Sequence, residues 1–167
     1  MENYPFTPAD IKTATHADIP ILIQNRIDFF RGMGHPISDE EERMAKQNLK
    51  NSYEKELNEN LFVYLIKTDE NLIVSCAYLV IEENLYHPKY PTGKTGTIKN
   101  VYTHPDYRRM GYSKMIILEI IEFAEKLKLE SLLLTASEDG YPLYKILGFT
   151  DQYFPNPPME LKLPRTE

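Results

Sequence analysis

The sequence predicts an α/β fold in one domain over residues 1–167, on three observations. Segments with strand character alternate with segments of helical period along the chain. A strand of β-branched and aromatic residues runs into a long amphipathic helix across a short basic turn at residues 101–113. No repeat, low-complexity tract or linker-like composition divides the chain, and 167 residues are enough for one substantial core.

The elements follow in order. Residues 10–15 read as a short first strand, and residues 18–32 as a helix opened by the capping-box spacing Thr15-x-x-Asp18 and closed at Gly32. Gly32-Met-Gly34 is a helix stop, too short and wrongly placed for a nucleotide loop. Ser38-Asp-Glu-Glu41 repeats the capping signature before a charged helix reaching about residue 58. Residues 61–67 and 72–82 read as strands joined by the tight polar turn Thr68-Asp-Glu-Asn71. Residues 83–94, rich in Tyr, Pro and His, make a long hairpin loop; Pro91-Thr-Gly-Lys-Thr95 within it lacks the leading glycine of a phosphate loop. The next strand, residues 95–103, stops before Pro105. Apolar residues then recur with helical period at Met115, Ile116, Leu118, Ile120, Ile121, Phe123, Ala124 and Leu127. An apolar strand at 131–135 leads through a polar turn to a short helix with Pro142 near its start and Gly148 at its end. Beyond Pro155, Pro157 and Pro158, residues 159–163 alternate like a final strand.

Composition narrows the function. A formal net charge of −6 argues against nucleic-acid binding, which needs a basic face, and mildly favours a cationic partner such as an amine. No apolar run approaches membrane-spanning length, and Met1-Glu-Asn-Tyr-Pro5 does not resemble a signal peptide, so a cytoplasmic protein without membrane contact is expected. Cys76, the lone cysteine, lies in an apolar run and reads as a small core residue rather than a nucleophile. His16, His35, His87 and His104 are scattered without ligand spacing, so no metal is expected.

The junction at residues 101–113 carries the chemistry. A helix start leaves its first amides without intrahelical partners and holds the positive end of the macrodipole, which together attract phosphate oxygens. Gly111 admits a ligand close to the backbone, and Arg108, Arg109 and Lys114 add positive charge. On local sequence alone, an anion site and an ordinary turn with solvated arginines both stand.

Two patterns decide between them. Arg108-Arg-Met-Gly111-Tyr-Ser113 fits Arg/Gln-x-x-Gly-x-Gly/Ala, and downstream Tyr144-Lys-Ile-Leu-Gly148-Phe149 fits Tyr-x-x-x-Gly-Phe. With both in order and in the right helical context, the chain over about residues 95–150 resembles the GNAT superfamily of acetyl-CoA dependent N-acetyltransferases. Ser113 departs from the usual glycine or alanine yet is small enough to admit a pyrophosphate. The resemblance implies a GNAT-type mixed, mostly antiparallel central sheet with flanking helices and two splayed central strands.

It also implies roles. Acetyl-CoA would be the cosubstrate, its pantetheine arm lying along Val101, Tyr102 and Thr103 like an added strand. The pyrophosphate would sit over the amides of Arg108, Arg109, Met110, Gly111, Tyr112 and Ser113. Ser137 stands where many relatives have an asparagine that touches the cofactor. Tyr144 matches the tyrosine that protonates the departing thiolate, with a core aromatic as its other reading; an amide at Val101 or Tyr102 would polarise the thioester. The strand residues Thr97-Ile-Lys-Asn100 offer no glutamate base. Glu82, Glu83 and His104 remain as candidates beside their solvated or structural readings, with water as the alternative acceptor. Asn100, Phe30 within residues 29–37, and the loop at residues 85–90 are placed at the substrate. The function implied is direct attack by the primary amine of a small molecule on acetyl-CoA. Polyamine, aminoglycoside-like and amino-acid-derived amines all suit the acidic and aromatic content. A catalytically silent acyl-CoA sensor and a protein or peptide N-acetyltransferase are the alternatives, and the apolar strands and tail suit either a homodimer surface or the core.

Overall fold

Three long runs of β-branched and aromatic residues set the sheet of the molecule, which the computed structural model describes over residues 6–152 and 159–161. The elements are β1 (Lys12–Thr13), α1 (Ile19–Gly32), α2 (Asp39–Glu56), β2 (Leu61–Lys67), β3 (Ile73–Glu83), β4 (Lys94–Thr103), α3 (Tyr112–Lys126), β5 (Ser131–Leu133) and α4 (Tyr141–Ile146). They fall into two compact units, Met1–Thr135 and Ala136–Glu167.

The first unit holds the whole sheet, in the order β1-β2-β3-β4-β5. Every neighbouring pair is antiparallel except β4 and β5, which run parallel, so the sheet is mixed and mostly antiparallel. Strand alternation divides its side chains between two helical layers. Val63 and Leu65 point to one face, where they join Cys76, Tyr78, Leu22 of α1 and Tyr53 of α2 in a buried cluster. Phe62 and Tyr64 point to the other and meet Phe123 of α3 with ring centroids 4.9 and 5.9 Å apart. α3 buries Ile116, Ile117, Ile120 and Ala124 on the same side. Each of the three buried isoleucines stabilises the fold by about 1.5–3 kcal/mol. Cys76 is 1 % exposed, and burial pushes its thiol up to about 12, which suits a core residue and not a nucleophile.

The helix starts are where the capping signatures put them. Ser38 and Glu41 bond reciprocally at the head of α2. The Thr15–Asp18 box encloses one 3-10 turn, His16–Asp18, and α1 proper begins at Ile19. Asp18 also bonds Lys67 at the end of β2 at 2.5 Å, tying the root of α1 to the sheet.

Some boundaries move for local reasons. The first strand shrinks to Lys12–Thr13 because Pro8–Asp10 forms a 3-10 turn. α2 stops at Glu56, where Leu57 turns extended and Asn58 takes φ 65°. β5 ends at Leu133, short of residue 135. Residues 159–161 are described without a strand, and Pro155, Pro157, Pro158 and residues 162–163 lie outside the described residues. No helix among the described residues is long and apolar enough to cross a membrane.

In the second unit α4 carries Pro142 in its first turn. It closes with Phe149 N–H donating to the Tyr144 carbonyl at 3.0 Å and Gly148 N–H to the Lys145 carbonyl at 3.1 Å, the paired bonds of a Schellman stop.

Candidate active site

β4 changes character half-way along. Its first residues pair on both edges: Thr95, Gly96 and Thr97 face β3 on one side and Ser131, Leu132 and Leu133 of β5 on the other. The ladder with β5 stops at Thr97, while the ladder with β3 continues to Thr103. Along residues 98–103 the second edge therefore has no strand partner among the described residues. β4 and β5 part here, which leaves main-chain donors and acceptors of β4 without a strand partner, an arrangement that suits an extended ligand.

A bulge sits in the open half. Cys76 pairs with Tyr102 and Tyr78 with Lys99, so the step from residue 99 to 102 on β4 is matched by the shorter step from 76 to 78 on β3. Asn100 absorbs the extra residue with φ 51°, a left-handed conformation that asparagine tolerates better than most residues.

Past Thr103 the chain forms the basic turn. A 3-10 turn, Pro105–Tyr107, is capped by His104 and uses the Arg108 amide, which donates to the Pro105 carbonyl at 3.3 Å. Arg109 takes φ 65° and Gly111 φ 80°, and Met115 donates the first intrahelical bond of α3, to the Gly111 carbonyl at 3.0 Å. The amides of Arg109, Met110, Gly111, Ser113 and Lys114 make no backbone hydrogen bond among the described residues. Successive free amides in a turn at a helix N-terminus form a concave anion receptor. No described protein atom lies within 4 Å of where a Gly111 Cβ would stand, so a ligand can reach the backbone there. Arg109 and Lys114 are exposed and have no ion pair among the described residues. The Arg108 side chain folds back instead, donating from Nε to the Thr103 carbonyl at 3.2 Å. Tyr112 is 1 % exposed with its ring edge-on to Phe6, so it presents backbone rather than side chain to the turn.

Hydroxyls lock the turn to the strand. Thr103 Oγ1 lies 2.7 Å from Ser113 Oγ and 2.9 Å from Ser75 Oγ, and Ser75 Oγ donates to the Tyr102 carbonyl at 2.8 Å. Ser113 thus bonds inward to β4, a use that glycine or alanine at this position does not have.

α1 covers the bulge from the other face of β4. Arg26 donates to Asn100 Oδ1, and its guanidinium lies 4.4 Å from the centroid of Phe30 and 5.8 Å from that of Phe29. Phe29 meets Tyr102 edge-on at 6.3 Å, and Phe30 meets His35 at 6.1 Å. Phe30 and Asn100, the two expected substrate residues, thus gather on one cation. Beneath them Tyr53 and Tyr78 share a hydrogen bond at 3.0 Å, and burial pushes both phenols up. Tyr102 is likewise raised by burial.

The remaining candidates separate. Glu83 lies at the exposed end of β3, 3.5 Å from Lys94, and Glu82 faces Thr95 across the ladder, so both sit on the fully paired half of β4. His104 accepts from the Asp106 amide at 3.4 Å as a turn cap. Leu85 and Tyr86 of the hairpin loop are exposed. In the second unit the Ser137 hydroxyl accepts from the Gly140 amide at 3.2 Å, capping the approach to α4. Tyr144 is buried at 7 % exposure, edge-on to Phe149 at 5.8 Å, and its hydroxyl has no hydrogen-bond partner among the described residues. Burial raises its phenol above the usual value of 10, so the hydroxyl stays protonated at neutral pH. A groove of about 730 Å³ between α1 and α2 shares no lining residue with β4 or the turn, so it includes neither the open strand edge nor the unpaired amides.

Known proteins bear on this geometry. The model of the acetyltransferase (GNAT) family matches residues 24–149, which take in β4, the basic turn and α4. The chain belongs to the GNAT family of acetyltransferases. A glucosamine 6-phosphate N-acetyltransferase of Trypanosoma brucei brucei is 33 % identical over 79 residues, 46 % of this chain and 50 % of that protein. The chain thus matches about half the length of that curated relative. Among solved structures, a predicted acetyltransferase with acetyl-CoA from Clostridium acetobutylicum superposes with a TM-score of 0.77 at 24 % identity, over 91 % of this chain and 94 % of that one. A GCN5-related N-acetyltransferase from Ralstonia eutropha JMP134 gives a TM-score of 0.72 at 19 % identity, over 89 % and 97 %. These likenesses show the GNAT fold.

The GNAT motifs point to the turn and to α4; they say nothing of Arg26. Its signal was present in the sequence as the spacing Arg26, Phe29, Phe30, which puts one cation and two rings on a single helix face.

Proposed function

We propose that the chain, acting as one domain over residues 1–167, moves the acetyl group of acetyl-CoA to the primary amine of a small molecule by direct attack. The observation that carries the reading is the edge of β4 without a strand partner among the described residues, leading into the amides of Arg109, Met110 and Gly111, which have no backbone bond there, and the exposed cations Arg109 and Lys114, which have no ion pair there. The arm of the cosubstrate extends the sheet along Val101, Tyr102 and Thr103, and its pyrophosphate lies over the amides that follow Arg108. Bound there, acetyl-CoA supplies an activated acyl group as a thioester.

The chain's own residues do the rest. A backbone amide at Val101 or Tyr102 donates to the carbonyl oxygen as negative charge develops on it. The C–N bond forms as the C–S bond breaks, and the Tyr144 hydroxyl gives its proton to the departing thiolate, a role carried over from the matching family motif. The amine's surplus proton passes to water, since the open half of β4 presents no carboxylate. Ser137 supports the turn before α4 and offers its hydroxyl to the cosubstrate.

Calorimetric titration with acetyl-CoA, followed by release of free thiol against a panel of amines and peptides, tests this. Tyr144→Phe is expected to lower kcat by roughly 10²-fold, within the range for a positioned general acid, while acetyl-CoA still binds. Absence of acetyl-CoA binding would sink the reading. Binding without thiol release from any acceptor would leave a sensor, and release driven best by peptides a protein acetyltransferase.

A further inference from the structure

Arg26 is a cation without a counter-ion among the described residues. It is partly buried, flanked by Phe29 and Phe30, and makes no ion pair with any carboxylate among the described residues. Its charge reaches Tyr53, Cys76 and Tyr78, opposing in each the upward push of burial. A guanidinium taken this far out of water is ordinarily matched by an acid. Two acids nearby, Asp28 in sequence and Glu42 on the facing helix, are engaged elsewhere. Asp28 accepts from Gln24 at 2.9 Å and lies 3.8 Å from Arg31; Glu42 pairs with Arg31 and, at 2.6 Å, with Lys46. The one polar partner of Arg26 among the described residues is neutral Asn100, which takes a single N–H and leaves the rest of the planar fork unused.

The position gives that charge a purpose. Asn100 is the bulge residue of β4 and the neighbour of Val101, so Arg26 stands beside the reacting end of the open edge, held by the Phe30 ring. We infer that Arg26 selects the acceptor, binding a carboxylate or phosphate carried on the same small molecule as the reacting amine. The amine half of this rests on the acetyl-transfer reading above; the anion half rests on Arg26 alone. The overall charge of −6 repels anions in general, so recognition falls to this local cation.

Matched pairs of amines separate the two halves. An amino acid is compared with its carboxamide, and glucosamine 6-phosphate with glucosamine, by calorimetry on the free protein and by thiol release with acetyl-CoA. Wild type is expected to bind the anionic member of at least one pair about tenfold or more tightly, and which pair does so tells carboxylate from phosphate. Arg26→Gln, which keeps a polar group for Asn100, is expected to erase that preference by raising KM with kcat little changed, and Arg26→Lys to retain part of it. Equal or weaker binding of both anionic members to wild type overturns the assignment, as does a preference that survives Arg26→Gln. Loss of acetyl-CoA binding in wild type would instead fail the transferase reading, and the binding preference is measured without it.

Discussion

The two halves of β4 are made from one continuous run of residues and meet opposite fates. Thr95 to Thr97 is enclosed: strands pair on both edges, and a Cβ on Gly96 would stand 2.8 Å from Leu132 Cδ2 and from Leu79 Cδ1. Asn100 to Thr103 keeps only β3 among the described residues, bulges at Asn100, and leads to a turn in which the amides of Arg109, Met110 and Gly111 make no backbone hydrogen bond among the described residues. On the proposed function the enclosed half gives stability and the open half gives binding capacity, gained by withholding a strand. Asn100 and Arg109 carry left-handed strain at its border, while Gly111 takes its positive φ without it.

The largest effect is expected where the enclosed half is forced open. Gly96→Val drives a branched side chain into two leucines, and overpacking of this kind costs up to about 3 kcal/mol. The melting midpoint should fall by roughly 6–12 °C for a chain of this size. A midpoint within a degree or two of wild type would mean that β4 and β5 separate easily, and the contrast between the halves would lose its basis.

Gly111→Ala attacks the open half without touching the core. The surroundings have room for a methyl group, so the cost is the left-handed φ of 80°, about 1–2 kcal/mol for a residue with a Cβ. Stability should drop by that much at most, while acetyl-CoA affinity by calorimetry falls about tenfold or more as the turn shifts. Affinity that tracks wild type would mean that the amides of this turn do not hold the cosubstrate.

What the sequence made legible follows the range of the interactions. Capping at Ser38 and Glu41, the end of α1 at Gly32, the bounds of β2 and the turn into α3 are set by residues within a turn of one another. The bulge at Asn100 depends on which residues of β3 lie opposite, and the splay depends on how far β5 follows β4; neither is written in residues 95–103 themselves. Arg26 and Asn100 meet from 74 positions apart, and Ser113 reads as a tolerated departure in the motif because only the fold brings its hydroxyl beside Thr103. The proposed cofactor-side residues were therefore legible through a local motif, and Asn100 and Phe30 were legible as acceptor-side candidates, whereas Arg26, which joins those two, became legible only once the chain was folded.

The hydroxyl chain sharpens the comparison at the border of the open half. Thr103→Val keeps a β-branched residue in the strand but removes the oxygen shared by Ser75 and Ser113. Two ordinary hydrogen bonds contribute about 1–2 kcal/mol together. Part of that loss should appear as a roughly threefold weaker acetyl-CoA affinity, measured by calorimetry, because α3 is no longer pinned to β4. An unchanged affinity with reduced stability would make the chain of hydroxyls purely structural.

The smallest effect concerns the root of α1, which carries Arg26 and Phe30 over the open half. Burial pushes the Asp18 carboxyl up, but hydrogen bonds from Lys67 and from the amide and hydroxyl of Thr15 outweigh it and hold the carboxyl below its usual 3.8. A lowered folded value means that the ionised form stabilises the fold above the unfolded pKa, and that this contribution is lost as pH falls through the folded value. Asp18→Asn should therefore destabilise the protein by on the order of 1 kcal/mol at pH 7, by an amount that stays constant down to about pH 5. Below about pH 4 the gap should close as wild type loses the same charge. Denaturant melts at pH 7, 5 and 3 give the three points needed. A gap that does not narrow at all between pH 5 and pH 3 would show that the asparagine variant fails through packing or lost capping geometry, and that the ion pair with Lys67 is not what fixes α1 above the bulge.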